Sequence, residues 1–432
     1  MNQIKIKYGL DERPPLHKTL IFGLQWLAVT IAAVVIIGKV VAGLHFDEPA
    51  RQLLYMQKLF FIMGLSLFLQ LIWGHKLPLI TGPASVLLIG ILAGAGRDIN
   101  AIYTTIAIGG ALQAVLSATG LFAKITKLFT SRVVATILIL IALTITPTIL
   151  NLIVTAKTPE ISLLNLLFAL CFFAAMITAD RVLPGIWKAT MLVWAIIFGA
   201  FAYMIVGSPE IWLGQGEVGI ISNFFKDFTI KPVFDPGLLI SFFVCFIALA
   251  INDLGSIQSI GRLINPPGME KRTKNGITIT GISNILAGFF GVIGSVNFSM
   301  SAGIIADNGN ASRFTMIPTS AALILTAFFP GIVIIAWNVP SVVVGVLLLY
   351  IMCAQMAAGL MVAFSQKGFS FQDGLVIGIP AMISILVSYL PLGVKDALPS
   401  VLVPVIGNGF VMGVVAVMIL EHIAYKPSNI KQ

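Results

Sequence analysis

Apolar runs of about 17 or more residues recur along nearly the whole chain, each long enough to cross the roughly 30 Å hydrocarbon core of a bilayer as a helix. In lipid every backbone polar group must find its partner inside the protein, so such runs become helices. With 58% hydrophobic and 10% charged residues, the 432 residues exclude a soluble domain of ordinary composition. The expected segments are 19–42, 56–74, 78–95, 102–122, 132–153, 161–179, 185–206, 238–259, 275–293, 296–306, 314–337, 340–362, 371–390 and 398–423. The fold class is therefore an all-α polytopic membrane protein of about fourteen transmembrane spans.

The net charge of +9 reads as topology. With the N-terminus inside, the inward loops and helix ends collect Lys5, Lys7, Arg13, Lys18, Lys76, Lys124, Lys127, Arg181, Arg272, Arg313 and Lys426, as the positive-inside rule requires. Both termini are expected to be cytoplasmic, in a bacterial or archaeal plasma membrane. The basic residues are dispersed over short loops, which excludes a nucleic-acid interface. Cys171, Cys245 and Cys353 lie within apolar spans without metal-ligand spacing, so neither a metal nor a cofactor is expected. The first apolar run outlasts a signal-peptide core and is read as a retained helix. His17, His45, His75 and His422 all fall in loops or termini.

The longest polar connection, 207–237, divides the chain almost in half. Residues 1–18 form an N-terminal segment, 19–206 a first set of seven spans and 238–423 a second. An odd number per half makes the second enter the membrane from the opposite side, the arrangement of a 7+7 inverted repeat. The third span of each half is interrupted. Thr81-Gly82-Pro83 reads as extended chain that turns into a helix, with Pro83 in the first turn. Val296-Asn297-Phe298-Ser299 alternates like a short strand followed by a serine N-cap. Short strands and half-helices in spans 3 and 10 survive at membrane depth only where protein or a watery cavity surrounds them. Two half-helix N-termini there present N–H groups near Ala84, Ser85 and Ser301 to an anionic or carbonyl oxygen. Glycine pairs such as Gly90/Gly94 and Gly409/Gly413 are read as close helix packing.

Among the 17 acidic residues, Asp253 is the one in the middle of an apolar span. A carboxylate at that depth marks an ion or substrate path, or else a structural group hydrogen-bonded to a neighbouring helix. Asn252 and Ser256, four residues apart, share a helix face, while Asp253 points about 100° away.

With these motifs on the page, the chain resembles, over essentially its full length, the nucleobase:cation symporters of the xanthine/uracil permease (nucleobase-ascorbate transporter) family. The resemblance rests on Asp11-Glu-Arg-Pro-Pro15, Leu24-Gln25-Trp26, Lys76-Leu77-Pro78 before Gly82, Asn252-Asp253-Leu254-Gly255-Ser256, Gly288-Phe-Phe-Gly291 and Gly345-Val-Leu-Leu-Leu-Tyr350. It implies a core domain of spans 1–4 and 8–11, a gate domain of spans 5–7 and 12–14, substrate between them, an elevator-like movement, and a homodimer through the gate. The chain departs from the family pattern at the site itself. Aligned on Gly255, Asn252 replaces the eighth-span glutamate and Ser256 stands where some members have histidine. Trp26 replaces the first-span histidine, and Met300-Ser301-Ala302-Gly303 replaces the tenth-span acidic signature.

The expected function is secondary active transport of a nucleobase-like small molecule, such as a purine or uracil, coupled to a proton in preference to sodium. Asn252, Ser256, Ser299, Met300, Ser301, Ala84, Ser85 and Gln25 are the expected polar and backbone contacts, with Trp26 and Phe298 either stacking on a ring or filling the core, and Asp253 coupling the ion. The alternatives are an anion carrier of the sulfate-permease architecture and a non-transporting membrane sensor. An enzyme is not expected, because the interior lacks a His, Cys or carboxylate pair placed for acid-base or nucleophilic chemistry.

Overall fold

Each of the expected apolar segments falls on a helix, a helix pair or, for spans 3 and 10, a short strand and a helix in the structure, a computed structural model that describes residues 6–207, 219–229, 231–365, 369–391, 393–394 and 397–425. Residues 208–218 and 230 of the expected connection lie outside the described residues. The first half contains α1 (Leu16–His45), α2 (Pro49–Ile72), β1 (Thr81–Pro83), α3 (Ser85–Ala93), α4 (Ile99–Ala118), α5 (Phe122–Ile125), α6 (Ser131–Val154), α7 (Pro159–Val182), α8 (Gly185–Ala189) and α9 (Met191–Val206). The second contains α10 (Pro236–Ile264), α11 (Met269–Phe290), β2 (Ser295–Asn297), α12 (Ser301–Asn308), α13 (Ile317–Phe328), α14 (Pro330–Trp337), α15 (Ser341–Ala363), α16 (Phe371–Ser388), α17 (Val403–Ile406) and α18 (Gly409–Ile419). By length and apolarity alone 8 described helices qualify as membrane spans, and up to 9 with the bent pair α13 and α14. The other segments are too short or too broken for that test, except α11, which is long enough but too polar.

The halves correspond element by element, and their packing repeats under exchange. α2 packs along α13 and α4 along α11; swapping the halves converts the first pair into the second. α6 lies against its own counterpart α15, and β1 pairs with its counterpart β2. The structure is a 7+7 inverted repeat whose pseudo-two-fold relation passes through the broken spans.

Two packed groups result. α1, α2, α3, α4, α10, α11, α12 and α13 surround the two strands, while α6, α7, α15, α16 and α18 form a second bundle. Small residues let the first group close up: a Cβ on Gly281 of α11 would come within 2.5 Å of the Ala114 nitrogen on α4. Gly90 and Gly409 pack in the same way, against Phe242 and the Ser384 carbonyl.

The expected span 314–337 is not straight. It bends by 93° between α13 and α14. Pro330 opens α14 and removes a donor, and Phe329 before it is pushed out of helical geometry to φ −106°, ψ 87°.

The strands form an antiparallel pair with Thr81 opposite Asn297, Gly82 opposite Val296 and Pro83 opposite Ser295. Pro83 thus ends the strand, two residues earlier than a first-turn proline; α3 starts at Ser85 behind Ala84, whose N–H bonds the Gly294 carbonyl at 2.9 Å. Gly82 is required by close approach, since a Cβ there would sit 2.6 Å from the Phe298 ring.

Candidate functional site

A cavity of about 300 Å³ opens at the crossing of the strands. On one side it is walled by Val29, Ala33 and Ile37 of α1, Pro83 and Ser85 at the first break, Asn252 of α10, and Val296, Phe298, Ser299 and Met300 at the second. On the other side stand Leu192 of α9 and Ile351, Ala354, Gln355 and Ala358 of α15. The cavity therefore lies between the two packed groups of helices. Its lining contains no acidic or basic side chain and no histidine. Its polar side chains are two hydroxyls and two amides, each able to donate and to accept.

Of the residues expected at the site, Ser85, Asn252, Phe298, Ser299 and Met300 line this cavity. The others stand behind it. Trp26 is wholly buried, its Nε1 donating to the Thr315 hydroxyl at 3.2 Å. Gln25 accepts from Asn308 Nδ2 at 3.0 Å, which ties α1 to the end of α12. Ser301 holds the fold rather than a ligand: its hydroxyl accepts from Ile80 N and donates to the Phe298 carbonyl, both at 2.9 Å. Ser256 is buried one turn beyond Asn252, with no hydrogen-bond partner for its hydroxyl among the described residues. Gln355 was not foreseen, because an amide in an otherwise unbroken apolar span carries no signal until α15 is placed opposite Asn252.

The backbone donors also differ from expectation. No serine caps α12; its first N–H groups are taken by a tight turn, Ser301 to the Phe298 carbonyl at 3.2 Å, Ala302 to Ser299 at 3.1 Å and Gly303 to Met300 at 3.1 Å. At the two breaks the N–H groups of Ser85, Val86, Ser299 and Met300 make no turn or cap hydrogen bond among the described residues, and Ser85, Ser299 and Met300 are among the residues that line the cavity. Such groups carry the partial positive charge of a helix start and suit a carbonyl oxygen.

Asp253 lies on the other face of the strands. It is 0% exposed and does not line the cavity. Oδ1 accepts from Asn297 N at 3.0 Å and Asn297 Nδ2 at 2.6 Å; Oδ2 accepts from the Thr280 hydroxyl at 2.6 Å. Strand alternation explains the separation, since Val296 turns its side chain to the cavity and Asn297 turns the opposite way. Thr280 has a second acceptor in the Gly276 carbonyl at 3.1 Å and itself accepts from Gln70 Nε2 at 2.9 Å.

Behind Asn297 stands His75, a histidine placed in a connection by the sequence and now found with its ring wholly buried. Its Nδ1 accepts from Leu77 N at 2.9 Å, which leaves the proton on Nε2, 3.3 Å from Asn297 Oδ1. Burial pushes this imidazole down to about 3; the bond to Asn297 opposes that shift and the Arg272 charge adds to it. The Thr81 hydroxyl completes the group by donating to Asn297 Oδ1 at 2.9 Å.

The fold is shared with known membrane proteins. The fold matches the transmembrane domain of a cyanobacterial bicarbonate transporter, BicA, with TM-score 0.62 and 15% identity over 86% of this chain and 96% of that one. It also matches the murine anion transporter Slc26a9 in its inward-facing state, with TM-score 0.58 and 12% identity over 93% of this chain and 69% of that one. In sequence the chain is 22% identical to the xanthine permease of Bacillus subtilis, covering 96% of each. It is 22% identical to the nucleobase transporter PlUacP of Paenibacillus larvae, covering 94% of each. The uric acid permease PucJ of Bacillus subtilis is 24% identical over 76% of this chain and 75% of that one. The xanthine/uracil permease pattern, described as Permease family, matches residues 17–393, and the chain is accordingly a multi-pass membrane transporter that belongs to that family.

Proposed function

We propose that the chain transports an uncharged nucleobase-like solute, bound in the cavity between the two helix groups and coupled to a proton at Asp253. The observation that carries this reading is the lining: two amides, two hydroxyls and the Phe298 ring, beside the starts of two short helices, with no ionised side chain. A planar lactam offers carbonyl oxygens to N–H donors and a ring face to Phe298. The relatives named as xanthine, uric acid and nucleobase carriers support the same solute class. An inorganic anion would meet no cationic side chain here, which disfavours the sulfate-permease alternative.

The group around α1–α4 and α10–α13 is read as the core and the bundle of α6, α7, α9, α15, α16 and α18 as the gate. Movement of the first against the second carries the cavity across the membrane, with the N-terminus on the cytoplasmic side. Proton coupling fits the surroundings of Asp253 better than sodium. Two N–H donors already aim at Oδ1, where a cation would need oxygen ligands. A protonated Oδ2 can instead donate to Thr280, whose hydroxyl then turns to the Gly276 carbonyl. Both protonation states are hydrogen-bonded.

The test is uptake by the purified protein in liposomes under an imposed pH gradient. Labelled xanthine or uracil is expected to accumulate, with unlabelled nucleobases competing and sulfate or bicarbonate not. Asp253→Asn is expected to abolish gradient-driven accumulation while solute exchange persists. Accumulation unchanged in that variant removes Asp253 from the coupling, and competition by sulfate alone overturns the solute class.

A further inference from the structure

We infer that this site reads its solute through carbonyl oxygens and leaves the ring nitrogens unread, so that oxopurines with alkylated ring nitrogens bind as well as their N–H parents. The inference rests on the nucleobase reading above and goes beyond it to the substituents the site accepts. Ser85, Ser299 and Met300 line the wall where α3 and α12 begin, and their backbone N–H groups, which make no turn or cap hydrogen bond among the described residues, are held there by the strand and helix starts as donors. They specify acceptor atoms on the solute. A ring N–H, by contrast, is specified only by an acceptor built to receive it, and the strongest such acceptor, a carboxylate, is missing from the lining.

Asp253 cannot take that part. Both its oxygens are occupied, and the strand stands between it and the cavity. The acceptors that remain are the carbonyls of Asn252 and Gln355 and two serine hydroxyls, all neutral, and each can turn its donor side to the solute instead. Apolar surface fills the rest of the wall. The Met300 side chain is 43% exposed at the cavity, and Ile351 and Ala354 face it from α15. A methyl group on a ring nitrogen meets thioether and hydrocarbon there, and its transfer from water favours binding by up to about fourfold. A site built to hydrogen-bond the N–H discriminates the other way, by about ten-thousandfold where a polar group of the protein is left unpaired.

Equilibrium binding to the purified full-length protein tests this directly with xanthine, 1,3-dimethylxanthine and 1,3,7-trimethylxanthine. The methylated compounds are expected to bind within about threefold of xanthine, or tighter. Binding of xanthine with a loss of about a hundredfold or more on methylation overturns the inference and leaves the nucleobase reading standing. Binding of none of these, nor of uracil, overturns both. Asn252→Glu, checked for an unchanged melting temperature, is expected to restore preference for the N–H parent by about tenfold or more. Equal loss of both ligand types in that folded variant counts against the inference, because a new carboxylate would then not distinguish them.

Discussion

Asn252 and Asp253 are consecutive residues of one helix with opposite surroundings. Asn252 faces an open, neutral cavity, while Asp253 is sealed behind a strand with every lone pair that it needs engaged. The helix turns 100° per residue and the strand turns side chains over at each residue, so one step along either element separates solute from charge. The difference teaches that buried charge need not belong to the binding surface. It can set the position of the backbone that does, since Asn297, held by Asp253, adjoins Val296 and Phe298 at the cavity wall.

The sharpest way to break this comparison is to replace both residues by leucine. Asp253→Leu leaves Asn297 N and Asn297 Nδ2 without the acceptor that holds them, at about 1–3 kcal/mol for each buried donor left unpaired, while Thr280 keeps the Gly276 carbonyl. Asn252→Leu removes a cavity amide whose side chain has no hydrogen bond among the described residues and should cost less than about 1 kcal/mol. Chemical or thermal denaturation of both variants checks this. Equal losses would mean that the two faces are not separated as the geometry shows.

The back face should also respond to pH through His75. Folded, this imidazole refuses a proton until about 3, whereas the unfolded chain takes one near 6.5. The stability it contributes is therefore complete above about 6.5 and declines as the pH falls toward 3, at up to about 1.4 kcal/mol per pH unit. His75→Gln keeps a donor near Asn297 and removes the titration. Its melting temperature should depend less steeply on pH than that of the parent between about 6.5 and 4. Identical slopes would show that the ring is open to protons in the folded state.

Much of the scaffold was legible in the sequence because its causes are local. Apolar run length fixes the helices, and Gly82, Pro83 and the cluster Ser295 to Ser301 mark where two of them break. The site was legible by halves. Asn252, Ser299 and Phe298 announce themselves as polar or aromatic residues at a break, yet which face each presents depends on the register of β1 against β2. That register puts Asn297 on Asp253 and Ser301 on Ile80. His75 was placed in a connection, which is correct for its backbone; the inward course of its ring follows from the loop's packing under Asn297. Gln355 became visible only when α15 was set across the cavity from α10, a long-range arrangement that no local pattern encodes.

Gln355 sharpens the comparison from the opposite wall. It is the polar side chain that the second helix group contributes to the cavity, so under the proposed movement it would touch solute only while the two groups enclose it. Under the proposed movement, Asn252 and Ser85 travel with the first group and keep their contact throughout the cycle. Gln355→Ala should therefore weaken equilibrium binding by about twofold to tenfold, the worth of one neutral hydrogen bond. Its melting temperature should stay at the parental value, because no internal hydrogen bond is lost. The informative readout is the split between binding and exchange. Loss of a contact made in one position of the cycle lowers affinity there and speeds solute release from it. Asn252→Ala lowers affinity in every position and leaves the release rates in balance. Exchange kinetics from the two sides of oriented liposomes measure that asymmetry, and a symmetric effect of Gln355→Ala would place its amide in the part that moves with Asn252.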